Sequence, residues 1–415
     1  MTTTDPDGGL PPAVVPDQSA VLVLGTAEWD AEIATNQHYV VRELAQEHQT
    51  YFVESLGLRR IRIDARDLRR MASRLRRAVR SRSPAGAYRP VPDRATVISP
   101  LVVPFHRRPT RLVNRLLLER AVAPWLASTG PRVLWTFTPT TYGVERYADL
   151  TVYHCVDLLH AFPGVDAVAV GAGEAVLARR ADVAIATSDV VAEHLRRVGF
   201  SEIRTLPNVA EVDLFAAASR PTAQRRPAAL FAGNLSPHKL DVPLLRALAN
   251  ALRGRGELLL AGPLAAGGGG FERELVELEE LGARYLGVLT VDQLAEVAGT
   301  CTVGLIPYAL NDYTVGVSPL KCYEYLAAGL RVISTPVPDV LRAAAGSSVI
   351  DVRESGPAFV RRVVETIEPD GDAEIAVRIG QARDHGWRPR GEVLRGLLAD
   401  RLGSYRAPTT GGPRG

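Results

Sequence analysis

The chain has 415 residues, 46% of them hydrophobic and 23% charged, with a formal net charge of +3. That length suits two α/β domains with tails better than one core, and no apolar run approaches the roughly 18 residues that cross a bilayer. Three cysteines, Cys155, Cys301 and Cys322, stand in apolar settings without disulfide or zinc-ligand spacing, so buried free thiols and no metal site are expected.

The chain opens on MTTTDPDGGLPP, polar and acidic where an export signal needs a positive start and an apolar core. A cytoplasmic protein is expected, with residues 1–18 a disordered tail. Strand-like runs rich in Val, Ile and Leu then follow at 20–25, 50–55, 95–100, 132–137, 150–157, 182–188 and 202–207, with helical patterns between them. They mark a first Rossmann-like domain, acceptor-side, over 19–212. Within it, residues 59–82 carry eleven arginines against two aspartates. Such a stretch suits peripheral contact with anionic lipid at the inner face of the membrane, or a phosphorylated acceptor, or simply a solvated arginine-rich helix. Nucleic acid is disfavoured, because no aromatic residues are interleaved for stacking.

Residues 213–227, small residues with Arg, Pro and Gln, read as a linker. A second series of runs at 228–233, 257–262, 284–289, 302–308, 331–337 and 348–352 marks a second domain over 228–385. A last helical pattern over 386–405 is expected to pack back on the first domain, and 406–415 is expected to be disordered. Short apolar strands alternating with helices describe doubly wound parallel sheets covered on both faces. Two such domains facing each other place their strand-end loops in one cleft. The first run, VLVLGTAEWD, lacks the G-x-G-x-x-G turn of a dinucleotide-binding dehydrogenase.

Lysine occurs only at positions 239 and 321, against 47 arginines. In a chain so biased to arginine, a retained lysine draws attention to its surroundings. Lys321 lies in VSPLKCYEYLAAG, where Ser318 suits an N-cap, Pro319 the first helical position and Gly329 the residue past the end, predicting a helix of about three turns. Free N–H groups at its start, with Lys321 in the first turn, make an anion site, and Glu324 one turn deeper suits ribose hydroxyls. Lys239 lies in FAGNLSPHK, where Gly233 lets backbone approach a ligand and the lysine opens the next helical run. Together they can pinch a diphosphate between two helix N-termini.

VSPLKCYEYLAAGLRVISTPVP resembles the donor motif of GT-B glycosyltransferases of family 4, in a Pro-Leu-Lys variant, and GNLSPHK is similar to their Gly-Arg-Leu-x-x-x-Lys phosphate segment. The resemblance implies a GT-B fold, two Rossmann-like domains across a cleft, and retaining transfer of a sugar from a nucleoside diphosphate to a hydroxyl acceptor, which can be lipid-linked. It implies diphosphate contacts from Gly233, Asn234, Lys239, Ser318, Pro319, Leu320 and Lys321, ribose binding by Glu324, and a sugar-side loop at Gly316 and Val317. No cofactor beyond the donor substrate is implied. Asn234 stands where the family has arginine, and Gly316 where it has its first motif glutamate.

In retaining members a donor phosphate oxygen takes the acceptor proton, so no protein base is required. His154 and Asp157, at the end of the run YHCVD, are the catalytic candidates, and Thr26, Glu28, Asn36 and His38 after the first run are the acceptor-side candidates. Two further readings stay open. One is an inactive nucleotide-sugar-binding subunit, which Gly316 favours. The other is a GT-B nucleotide-sugar epimerase, which needs acid and base carboxylates around the sugar.

Overall fold

The computed structural model describes residues 19–31, 34–56, 89–102, 108–162, 164–264 and 270–403. The basic stretch 59–82 and the tails 1–18 and 406–415 lie outside the described residues.

Each apolar run becomes a strand, most of them shortened and two, at 50–55 and 284–289, shifted to start one residue earlier. The first seven are β1 (Ala20–Leu24), β2 (Gln49–Val53), β3 (Ala95–Ile98), β4 (Arg132–Thr136), β5 (Leu150–Cys155), β6 (Val183–Ala186) and β7 (Ile203–Thr205). They form one sheet in the order β3-β2-β1-β4-β5-β6-β7, every pairing parallel. The other six are β8 (Ala228–Ala232), β9 (Glu257–Ala261), β10 (Ala283–Tyr285), β11 (Val303–Ile306), β12 (Arg331–Ser334) and β13 (Ile350–Val352). Their sheet, also wholly parallel, runs β10-β9-β8-β11-β12-β13. The direction of winding reverses between β1 and β4 and again between β8 and β11. Ligands of open α/β sheets bind beyond the carboxyl ends of the strands at such reversals.

Both faces of the first sheet are covered, as continuous apolar strands require. Val21 and Val23 of β1 pack with Trp387, Leu394, Leu397 and Leu398 of the last helix, Trp387–Gly403. Ala20, Leu22 and Leu24, on the opposite face, pack with Leu118 and Trp125. The chain therefore returns from the second domain to complete the core of the first, each buried leucine contributing roughly 1.5–3 kcal/mol. Arg395 of the returning helix holds Glu43 and Glu47 at 3.0 Å each.

The 213–227 segment is ordered where composition suggested a linker. It begins within a helix, Val212–Ala218, whose Val212, Phe215 and Ala218 join the second domain's core. Arg225 is buried there, donating to the carbonyls of Arg220, Cys301 and Ala328 at 2.8, 2.7 and 2.7 Å. Packing decides the conformation of these small residues, which composition alone does not reveal. The three cysteines are free and buried.

Candidate functional site

Both lysines come to the reversal point of the second sheet. β8 ends at Ala232, and Gly233 follows with φ +143°, a conformation that favours glycine. A Cβ on Gly233 would stand 3.2 Å from Lys321 Nζ, so the missing side chain leaves room for the ammonium. Beyond half-buried Asn234 the chain turns, with the N–H groups of Lys239 and Leu240 donating to the Ser236 carbonyl at 3.0 and 2.9 Å. Past the end of β11, Pro307 and Tyr308 run beside that turn. Asp241 N–H donates to the Pro307 carbonyl at 2.9 Å and Ala309 N–H to the Lys239 carbonyl at 3.0 Å, with Leu240 and Tyr308 paired antiparallel. Lys321 Nζ donates to Tyr308 Oη at 2.8 Å, and Lys239 Nζ lies 4.8 Å from the centre of the same ring.

The two helix starts differ from expectation. The first helix spans Lys321–Ala327, about two turns, because the Ser318 hydroxyl is already engaged: it donates to Asp339 Oδ2 at 2.6 Å and accepts Asn208 N–H at 3.2 Å. Leu320 takes the N-cap position, with buried Pro319 before it. Gly329, at φ +81°, ends the helix as its sequence position suggests, and Leu330 N–H closes back on the Tyr325 carbonyl at 2.8 Å. Lys239 precedes its helix, Val242–Leu252, whose N-cap is Asp241; that carboxylate accepts Leu244 N–H at 3.0 Å. With one terminus capped and the other short, what the loops bring together is two lysine side chains rather than two helix dipoles.

Glu324 is half-buried on the Lys321 helix. Burial pushes its carboxyl up to about 7; Lys321 pulls it down and the charge of Glu211 raises it. Tyr39 of the first domain feels Glu324 in turn and stacks on Trp387 at 4.9 Å between ring centres.

Gly316 and Val317 are buried where the domains meet. The Gly316 carbonyl accepts Ser188 Oγ–H at 2.9 Å, and a Cβ at 316 would stand 2.8 Å from Leu158 Cγ. A glutamate has no room there while Leu158 keeps its position. Gly316→Glu is therefore expected to cost roughly 1–3 kcal/mol of stability as overpacking, with Leu158→Ala restoring part of it. Thermal melts in which G316E matches the parent would contradict this packing.

On the first domain the acceptor-side candidates divide. Thr26 is exposed, its N–H donating to Gln37 Oε1 at 2.7 Å. His38 is buried and occupied with capping: its Nδ1 accepts Thr35 N–H at 3.0 Å, and Nε2–H donates to the carbonyl of half-buried Glu28 at 3.0 Å. Burial, helped by Arg89, lowers its pKa to about 4, so above that pH the ring is a neutral structural element. Asn36 instead reaches the VSPLK segment: its Nδ2 donates to Asn208 Oδ1, and Asn208 Nδ2 donates to the Ser318 carbonyl at 2.7 Å.

His154 is buried at the end of β5, stacked 4.7 Å from Phe137, and neither ring nitrogen has a partner among the described residues. Burial, with Arg390 nearby, lowers its pKa to about 3, so it is a neutral imidazole. Asp157 is half-buried just beyond β5. Burial raises its pKa and the charge of Lys239, from the other domain, pulls it back. Sequence reading did not single out Tyr308, Asp339 or the contacts of Asn208. Tyr308 lies two residues past a strand at the reversal point, which is the one local signal it carries.

No family model matches the chain. In sequence it is 28% identical over 169 residues to TuaH of Bacillus subtilis (strain 168), provisionally assigned as a teichuronic acid biosynthesis glycosyltransferase. The match covers 39% of this chain and 42% of that protein, so the chain spans less than half the length of this curated relative. In structure, sucrose-phosphate synthase from Thermosynechococcus elongatus aligns with a TM-score of 0.64 at 15% identity, over 94% of this chain and 100% of that one. The E. coli trehalose-6-phosphate structure bound with UDP-2-fluoro glucose aligns with a TM-score of 0.61 at 12% identity, over 93% and 99%. The chain has the GT-B fold. In this GT-B frame Lys239, Tyr308, Lys321 and Glu324 belong to the second domain, and His154 and Asp157 to the first. Asp157 feels the charge of Lys239 from the other domain.

Proposed function

We propose that this GT-B chain moves a sugar from a nucleoside-diphosphate sugar onto a hydroxyl acceptor with retention, as a relative of the family 4 glycosyltransferases in their Pro-Leu-Lys form. The observation that carries the reading is the convergence of the chain's only two lysines on Tyr308 at the reversal point of the second sheet. The names of the sequence relative and of the structural neighbours, which include a complex with a uridine-diphosphate sugar, agree with it.

In this reading Lys239 and Lys321, with backbone from Gly233, Asn234 and Ser318 to Leu320, hold the diphosphate. Glu324 takes the ribose hydroxyls, and Gly316 and Val317 line the sugar. The acceptor oxygen bonds to the anomeric carbon as the bond from that carbon to the diphosphate oxygen breaks, and the electron pair leaves with the diphosphate. Ammonium groups already in place stabilise the charge that develops there, which is where preorganised electrostatics acts most strongly. The acceptor proton passes to a phosphate oxygen of the donor. Asp157, its carboxyl pKa raised by burial, orients the acceptor hydroxyl, and His154 stands as a neutral imidazole at the end of the same strand.

The packing of Gly316 against Leu158 favours one competing reading, a subunit that binds the nucleotide sugar without transferring it. The two separate when the protein is incubated with uridine-, thymidine-, guanosine- and adenosine-diphosphate sugars together with sugar and lipid-linked acceptors. A transferase releases the diphosphate and yields a product of the donor's anomeric configuration. Binding of a donor with no release across acceptors would support the subunit, and no binding at all would sink both.

A further inference from the structure

Tyr308 is 1% exposed, and three parts of the donor domain meet on it. Its backbone is fixed to the Lys239 turn through the Asp241–Pro307 and Ala309–Lys239 hydrogen bonds, and its carbonyl accepts Thr335 Oγ1–H at 2.8 Å. Its hydroxyl accepts the Lys321 ammonium at 2.8 Å. Lys239 Nζ lies 4.8 Å from the ring centre, while Lys321 Nζ, 5.4 Å from it, sits off the hydroxyl edge, and the ring is itself braced edge-on by Phe231 of β8 at 6.4 Å.

Two ammonium groups on one small surface repel each other and call for a common partner. A carboxylate in that place would neutralise them and compete with any incoming anion. A phenol does neither. Its oxygen accepts a hydrogen bond and its face attracts cations through the ring quadrupole, while its net charge stays zero. We propose that Tyr308 is the positioning residue that gathers Lys239 and Lys321 into one preformed cation pair for the diphosphate. This rests on the reading of the lysines as a diphosphate site, and adds to it the element that sets their spacing. Diphosphate binding then lifts the ammonium groups partly from the phenol to the phosphate oxygens, with no carboxylate ion-paired to either of them among the described residues.

A wild-type measurement tests this without depending on how a variant folds. Burial alone raises the Tyr308 pKa, but Lys239 and Lys321 outweigh it and hold the hydroxyl below the ordinary tyrosine range. Alkaline titration followed by tyrosinate absorbance is expected to show one early step, absent in Tyr308→Phe. Saturating inorganic pyrophosphate, by adding negative charge to the pair, should move that step to higher pH. In parallel, calorimetric titration with pyrophosphate should give roughly tenfold weaker binding for Y308F, which loses the hydroxyl, and a larger loss for Tyr308→Leu, which loses the ring as well. Affinity for the free nucleosides should not change. If wild-type protein binds pyrophosphate, Lys321→Ala abolishes that binding, and yet Y308F binds as tightly as wild type and the early step ignores pyrophosphate, the positioning role is overturned while the diphosphate site stands. If wild-type protein binds neither pyrophosphate nor any of the uridine, thymidine, guanosine and adenosine diphosphates, both fall together.

Discussion

Lys321→Ala is expected to weaken nucleoside-diphosphate binding by roughly tenfold to a hundredfold, and Lys239→Ala by a similar factor, with little change in melting temperature. A hydrogen bond to a charged group is worth roughly 1.5–3 kcal/mol, and each 1.4 kcal/mol is tenfold in affinity. Little stability should be lost because the Lys321 ammonium has a neutral phenol as its partner, and removing either cation relieves repulsion from the other. The double variant should lose less than the product of the single losses, since each lysine shapes the position of its neighbour through Tyr308. Arginine is a poor replacement at 321: its planar fork needs more space than a compact ammonium, and a Cβ on Gly233 would already stand 3.2 Å from Nζ. Calorimetric titration with uridine, thymidine, guanosine and adenosine diphosphates is the check. Unchanged affinity in both single variants would remove the basis for the proposed donor site.

The second large effect concerns Glu324. Its carboxyl has a pKa of about 7 against 4.5 for an ordinary glutamate, mainly through burial. A carboxyl whose pKa is higher in the folded chain binds its proton more tightly there. Its contribution to stability is complete below about pH 4.5 and is lost as pH rises through about 7. Each tenfold gain in proton affinity is worth roughly 1.4 kcal/mol, so the loss is of order 3 kcal/mol. Glu324→Gln should therefore melt at a higher temperature than wild type at pH 8, with the difference shrinking towards pH 5. The same substitution should weaken nucleoside-diphosphate binding at pH 8 by about tenfold, since a carboxylate accepts from two ribose hydroxyls where an amide oxygen serves less well. Between pH 6 and 8 the wild-type affinity should gain over that of the variant as the carboxyl ionises. A residue that stabilises the empty protein less than its amide, yet binds ligand better, is what a functional carboxylate looks like. Parallel melting curves at both pH values would contradict this assignment.

Much of the fold was legible because strands buried on both faces leave an unbroken signal. AVLVL, VAIA and ELLLA need no partner to be recognised, and every such run became a strand of a parallel sheet. What the sequence concealed was decided by contacts between distant residues. Ser318 looks like an N-cap until Asp339, twenty-one positions later, accepts its hydroxyl hydrogen. The 213–227 segment reads as a linker by composition, and only the fold shows its Phe215 and Ala218 packed in the core of the second domain. His38 looks like an acceptor-side group until its two ring nitrogens are found closing a helix start and holding the Glu28 carbonyl. Tyr308 offered almost nothing to read, because an aromatic after a strand is common and only the fold brings both lysines to its ring. Lysine scarcity was the better guide, since it pointed at the same place from composition alone.

The most direct test is a crystal structure of the chain with the nucleoside diphosphate that titration selects. The diphosphate is expected beyond the ends of β8 and β11, with phosphate oxygens about 3 Å from both Lys239 Nζ and Lys321 Nζ and the ribose on Glu324. A diphosphate bound elsewhere, with Lys321 still on Tyr308 and Lys239 touching no phosphate oxygen, would contradict the account.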